Sequence, residues 1–166
     1  MSQYFTLFQL EPQFDIDTDS LEQNYRTLAA RFHPDRFASA SAFEQKQAVM
    51  MSSTVNDAYR TLKNPTDRAA YLLRQQGIDA DAPEHTSFAP EFLMQQMEWR
   101  ETLAEARAAG DTAALNALEH QVSAEQTALY GQLAAAFDAQ QYQTAAQLVR
   151  QGRFLNKMRQ EIENAV

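Results

Sequence analysis

Apolar residues recur at helical spacing on both sides of Pro34, and that proline can belong to neither run. Upstream, Leu21, Tyr25, Leu28, Ala29 and Phe32 share one helical face. Downstream, Ala48, Met51, Val55, Ala58, Tyr59 and Leu62 do the same. Proline fixes φ, lacks an amide donor and pushes the residue before it out of helical geometry, so the first helix must end at Phe32 or His33. Two long amphipathic helices joined by a short connection pack antiparallel. The sequence therefore predicts a helical hairpin with His33-Pro34-Asp35 exposed at its tip, and Asp35 is expected to hold the turn by bonding nearby backbone amides.

Cap signals set the other boundaries. Asp17 reads as the N-cap of the first long helix, with Ile16 and Leu21 at staple spacing. Ser41-Ala42-Phe43-Glu44 reads as a capping box for the second. Asn64-Pro65 breaks that helix and starts a short one carrying Ala69, Leu72 and Leu73, which Gly77 should stop. A short helix over Tyr4–Leu10, capped by Ser2 and ended by Pro12, precedes the hairpin. Residues 1–77 thus form one domain of a hairpin plus two short helices. Residues 78–89 contain Pro83 and no clear period, which predicts a linker. Residues 90–166 predict a three-helix antiparallel bundle: Pro90 to Gly110, Asp111 to about Phe137, and about Tyr142 to Asn164. Leu115, Leu118, Val122, Leu129, Leu133 and Phe137 mark the middle helix's buried face. Tyr142, Ala145, Val149, Leu155, Met158 and Ile162 mark the last helix's. Gly152 costs ~1 kcal/mol relative to Ala inside that helix, so a packing reason or a bend is expected there. The fold class is all-α.

Composition narrows the function. The chain has no cysteine, which excludes a disulfide scaffold and cysteine ligation of zinc or an iron–sulfur cluster. No apolar run approaches the ~20 residues of a membrane span, and Met1-Ser2-Gln3-Tyr4-Phe5 lacks a basic leader, so a cytoplasmic protein is expected. The net charge of −8 is uneven. Residues 1–77 carry eight Lys/Arg against nine Asp/Glu, and residues 78–166 carry six against thirteen. An acidic second half argues against nucleic-acid binding, which needs clustered positive charge. Four scattered glycines provide no phosphate loop. His33 has no histidine partner at i+4 and no neighbouring nucleophile, so no metal, cofactor or catalytic residue is expected. Two other readings of His33 stay open at this point: a plain surface histidine, and a small hydrolase using His33 with Asp35 in a pocket around them.

The helix after Pro90 has two unlike faces. Phe92, Trp99, Leu103 and Ala106 cluster on one side and should face the bundle. Met94, Met97, Glu98, Glu101 and Glu105 lie roughly opposite, with Leu93 at the edge. Exposed methionines among carboxylates suit a protein-binding surface, because methionine adapts its shape; stray surface apolars are the plainer alternative. Phe154, just beside the core spacing of the last helix, could join this patch.

These residues carry a resemblance. Tyr25, Leu28, Phe32-His33-Pro34-Asp35-Arg36-Phe37, Asn56-Asp57-Ala58-Tyr59-Arg60-Thr61-Leu62, Pro65, Arg68 and Tyr71 resemble a J-domain. Tyr4-Phe5-Thr6-Leu7-Phe8, the stretch Ala89 to Glu101 and Val149-Arg150-Gln151-Gly152-Arg153-Phe154-Leu155-Asn156-Lys157 resemble the HscB-type co-chaperones of bacterial iron–sulfur cluster assembly. The resemblance implies a J-domain that stimulates an HscA-type heat-shock ATPase and a bundle that delivers the IscU-type scaffold protein to it. It implies chaperone docking by His33, Pro34 and Asp35 with the basic residues Arg26, Arg31 and Arg36. It implies scaffold binding by Leu93, Met94, Met97, Glu98, Glu101, Glu105 and Phe154, with Thr102 uncharged where a further acidic residue is often found. The alternative is a J-domain adaptor that brings a different client to a DnaK-type chaperone.

Overall fold

Most helices begin where the sequence supplies a cap or a proline. The computed structural model describes residues 3–82 and 88–166; the expected Ser2 cap and residues 83–87 of the expected linker lie outside them. The chain divides into two units, Met1–Gly77 and Ile78–Val166.

The first unit holds α1 (Gln3–Leu7), α2 (Thr18–Arg31), a 3-10 turn (Pro34–Phe37), α3 (Ala42–Lys63) and α4 (Pro65–Gln75). Asp17 caps α2 by accepting from the Asp19 and Ser20 amides, Ser41 caps α3 by accepting from the Glu44 amide, and Asn64 caps α4 by accepting from those of Thr66 and Asp67. α2 and α3 pack as the hairpin. Tyr25 stacks on Tyr59 at 3.9 Å and its hydroxyl donates to Asn56 at 2.9 Å.

α1 is shorter than expected. It stops at Leu7 because Gln9 turns left-handed, at φ 58°. The Leu10 amide then reaches back to the Phe5 carbonyl at 2.9 Å and the Gln9 amide to Thr6 at 3.0 Å, which is the Schellman pattern with glutamine where glycine is usual. The short helix is held by packing: Phe5 and Phe8 are fully buried, and Tyr4 stacks on Tyr71 at 4.7 Å.

Arg68 locks this unit. Its side chain is buried, its Nε donates to the Phe14 carbonyl and its Nη1 to the Leu62 carbonyl, each at 2.6 Å. The guanidinium also lies 5.0 Å from the Phe14 ring centroid. One side chain thus ties the segment before α2 to the end of α3.

The second unit holds α5 (Pro90–Ala109), α6 (Thr112–Asp138) and α7 (Tyr142–Ala165). Gly110, left-handed at φ 62°, ends α5, and the Asp111 carboxylate caps α6 through the Ala114 amide. Gln140 repeats the Gln9 device at the end of α6, with φ 56° and the Gln141 amide on the Ala136 carbonyl at 2.8 Å. Leu115, Leu118, Val122, Leu129 and Leu133 are buried as expected, but Ala136 takes the core place expected for Phe137, which is half-buried against Tyr142. Gly152 is buried, and α7 runs through it. Between Val122 and Leu129 the core stripe carries Gln126, buried, donating to Asn156 and accepting from Arg159. Ala80 is buried, and Asp81 pairs with Arg153 through two 3.0 Å bonds.

Candidate functional site

The hairpin tip is built the opposite way round from the sequence expectation. Phe32 closes α2 by donating its amide to the Leu28 carbonyl. His33 then turns extended and caps the 3-10 turn itself: its Nδ1 accepts the Asp35 amide at 3.2 Å, and its carbonyl accepts the Arg36 amide at 3.0 Å. Asp35 supplies the amide and is not the cap; its side chain is 94% exposed, with the carboxylate Oδ2 3.6 Å from the His33 Nδ1. An imidazole that accepts at Nδ1 carries its proton on Nε2. The tip therefore offers a partner one ring N–H and one carboxylate, with the intervening proline fixing the backbone between them.

Gln45, which sequence reasoning passed over, completes the tip. Its side-chain amide donates toward the carbonyls of Phe37, Ala38 and Ala40 at 3.0, 3.3 and 3.4 Å, clipping the loop after the turn to the first turn of α3. Arg26, Arg31 and Arg36 are all exposed, and Arg26 is held by Glu22 one turn earlier at 2.7 Å. Beside the tip a cleft of about 500 Å³ is lined by Phe32, Phe37, Ala48, Met50 and Met51 among others, but not by His33. The pocket that a hydrolase would need around His33 is not this one. Phe43, Val49 and Met50 are exposed on α3. Their signal was present as apolar residues lying off the core spacing of that helix.

In the second unit, helical spacing brings six of the seven expected scaffold-binding residues to one side of α5. Trp99, Leu103 and Ala106 are buried against the bundle, while Leu93, Met94, Met97, Glu98, Glu101 and Glu105 are exposed. Met97 is 72% exposed and Met94 63%. Among the described residues none of the three glutamates makes an ion pair. The seventh residue, Phe154, stands apart. It is half-buried, stacked over Trp99 at 6.5 Å, edge-on to Phe92 at 5.6 Å and beneath the Arg100 guanidinium at 5.3 Å. It meets the Arg100 edge of α5, not the methionine centre. No group of three metal-ligating side chains forms among the described residues, and no described helix is long and apolar enough to cross a membrane.

The model of the DnaJ domain matches residues 3–71, and that of the HSCB C-terminal oligomerisation domain matches residues 88–163. The co-chaperone protein HscB homolog of Neisseria meningitidis is 72% identical over 166 residues, the full length of both chains. The chain belongs to the HscB co-chaperone family. Among solved structures it is similar to the chaperone HscB from Vibrio cholerae, 41% identical with TM-score 0.83, covering 97% of this chain and 95% of that one. It is also similar to the human co-chaperone protein HscB, 32% identical with TM-score 0.88, covering 97% and 80%. As an HscB co-chaperone with a J-domain, it works with an HscA-type ATPase and an IscU-type scaffold in iron–sulfur cluster assembly. This is a co-chaperone family.

Proposed function

We propose that the two partners dock on the two faces described above. His33, Pro34 and Asp35 meet the HscA-type ATPase, with Arg26, Arg31 and Arg36 as the surrounding positive charge. Leu93, Met94, Met97, Glu98, Glu101 and Glu105 carry the IscU-type scaffold, with Phe154 at the margin. The working division is 1–77 for the J-domain, 78–89 for the connection and 90–166 for the bundle. On this reading the chain acts in the cytoplasm and carries out no reaction of its own.

The mechanism follows from binding alone. A co-chaperone accelerates ATP hydrolysis on its partner only if it binds the hydrolysis-competent state more tightly than the other state. The His33 cap and the Gln45 clip hold the backbone that carries the tip's donor and acceptor, so the tip can favour a state that has groups placed to match that backbone. The observation that carries the cargo half is the exposure of Met94 and Met97 beside three unpaired glutamates. Such a face combines adaptable apolar area with charges that a basic partner can neutralise.

The test is ATP turnover by the HscA-type chaperone, alone, with this protein, and with protein plus scaffold. The parent stimulates turnover, and His33→Gln brings it to the basal rate while leaving scaffold binding intact. Equal stimulation by parent and variant would reject the tip assignment.

A further inference from the structure

Sulfur in this chain is thioether only: six methionines and no cysteine. An oxidant therefore meets no thiol first, and which methionines react depends on exposure. Met158 is fully buried, whereas Met97, Met94 and Met50 are 72%, 63% and 62% exposed. Two of these three stand three residues apart on α5, at the centre of the proposed scaffold-binding face. We propose that Met94 and Met97 form an oxidation-sensitive switch that releases the scaffold when peroxide converts them to sulfoxides. This rests on the assignment of that face to the scaffold.

The chemistry is self-contained. The thioether lone pair attacks one peroxide oxygen, the O–O bond breaks as the S–O bond forms, and the leaving hydroxide takes the proton from the transferred hydroxyl. Sulfur loses two electrons, and hydrogen peroxide becomes one sulfoxide oxygen and one water. A thiol-dependent methionine sulfoxide reductase reverses the step, taking its two electrons from a dithiol that becomes a disulfide.

The surroundings make the product costly to bury. A sulfoxide oxygen is an acceptor without a donor. Glu98 and Glu101 lie one helical turn beyond Met94 and Met97, and with Glu105 they are acceptors only when ionised. The oxidised face thus brings no carboxylate donor to the new oxygen, the cations of a basic partner bond the charged carboxylates in preference to a neutral sulfoxide, and covering the face strips the oxygen's water. Leaving a buried acceptor unsatisfied weakens binding by about tenfold or more.

The experiment oxidises the intact protein with hydrogen peroxide, removes the peroxide, and only then adds the scaffold. Peptide mass spectrometry follows each methionine, and the scaffold Kd is measured before and after. The expected result is sulfoxide at 94 and 97 with Met158 intact, a Kd raised by about tenfold or more, and recovery after reductase treatment. In M94L/M97L, whatever its starting Kd, the ratio of Kd after and before peroxide stays near one. A parent ratio near one with both sulfoxides formed overturns the switch, as does an equal loss in M94L/M97L. Unoxidised M97D separates the two claims: if it binds the scaffold like the parent, the face assignment fails and the switch with it. If it binds weakly while the sulfoxides do not weaken binding, only the switch fails.

Discussion

Replacing Arg68 with methionine should cost the first unit a large part of its stability. The side chain is 6% exposed and donates two 2.6 Å bonds, from Nε to the Phe14 carbonyl and from Nη1 to that of Leu62. A hydrogen bond from a charged donor contributes about 1.5–3 kcal/mol, and the guanidinium over the Phe14 ring adds about 0.5–2 kcal/mol. Removing the charge also removes its desolvation penalty, which offsets part of that sum. Two such bonds and the ring contact, less that penalty, leave a net loss of about 3–5 kcal/mol. Methionine fills similar volume, so the loss reports the guanidinium's interactions and not a cavity. A unit of 77 residues is stable by roughly 4–12 kcal/mol. At about 4–8 °C per kcal/mol for a domain this size, its midpoint should fall by roughly 12–40 °C. Urea and thermal melts followed by circular dichroism give the loss, and hydrogen exchange should rise in α1, α3 and α4. Arg68→Lys should lose less but not recover the parent, because an ammonium cannot reproduce the fork that reaches both carbonyls. A loss under about 1 kcal/mol in Arg68→Met would refute the reasoning, since that is the scale of one ordinary neutral hydrogen bond.

Three further perturbations test other parts of the structure. Met97→Asp should leave folding within about 0.5 kcal/mol of the parent, as surface changes do, yet weaken scaffold binding by about thirtyfold or more through lost apolar contact; titration calorimetry reads both partners directly. Asp17 is held below its ordinary carboxylate pKa, chiefly by the Ser20 amide, then by the Ser20 hydroxyl and the Asp19 amide, with desolvation opposing. Because the folded pKa is depressed, its stabilisation is present above the unfolded pKa of about 4 and is lost as pH falls through the folded value. The advantage of the parent over Asp17→Ala in urea midpoint should therefore shrink as pH drops below about 4; a gap that stays constant down to the acid limit would contradict it. Gln9→Gly and Gln140→Gly should each raise stability by about 0.5–1 kcal/mol, since both glutamines sit left-handed where glycine carries no Cβ penalty; a loss at either site would mean its side chain makes a compensating contact.

Local chemistry was legible in the sequence, and long-range pairing was not. Asp17, Ser41, Asn64, Pro90, Gly110 and Asp111 act within a few residues of themselves, so their helix ends could be read directly. The end of α6 was also read to within a residue, but the left-handed φ of Gln9 and Gln140 was not, because nothing in a glutamine announces a conformation that the surrounding packing imposes. The polar interruption at Gln126 was invisible for another reason. Its partners Asn156 and Arg159 are 30 and 33 residues away, and spacing on one helix cannot say which polar residue of another will face it. The tip was read correctly as an exposed turn, but with its cap assigned to the wrong residue. Asp is the usual side chain to accept a backbone amide in a turn; here the histidine ahead of the proline reaches the amide first, which leaves the carboxylate exposed.

The two faces differ in stiffness, and that difference suits the role proposed for each. The tip is over-determined: Pro34 fixes one φ, His33 fixes the next amide, and Gln45 holds three carbonyls of the following loop. A docking element that must discriminate between two states of an ATPase gains from this, because a loose tip would adapt to both states and shift neither. The α5 face is the reverse. Its centre is two exposed thioethers, each on a side chain with three rotatable bonds, flanked by carboxylates that no described cation holds. A carrier that only has to hold its cargo can use such a surface and tolerate small changes in the cargo's shape. Stiffening α5 should therefore matter less than loosening the tip, and Gln45→Ala, which frees the loop without touching His33 or Asp35, separates the two. It should lower stimulation of ATP turnover while scaffold affinity stays at the parent value. If stimulation is unchanged, preorganisation of the tip is not what the ATPase reads.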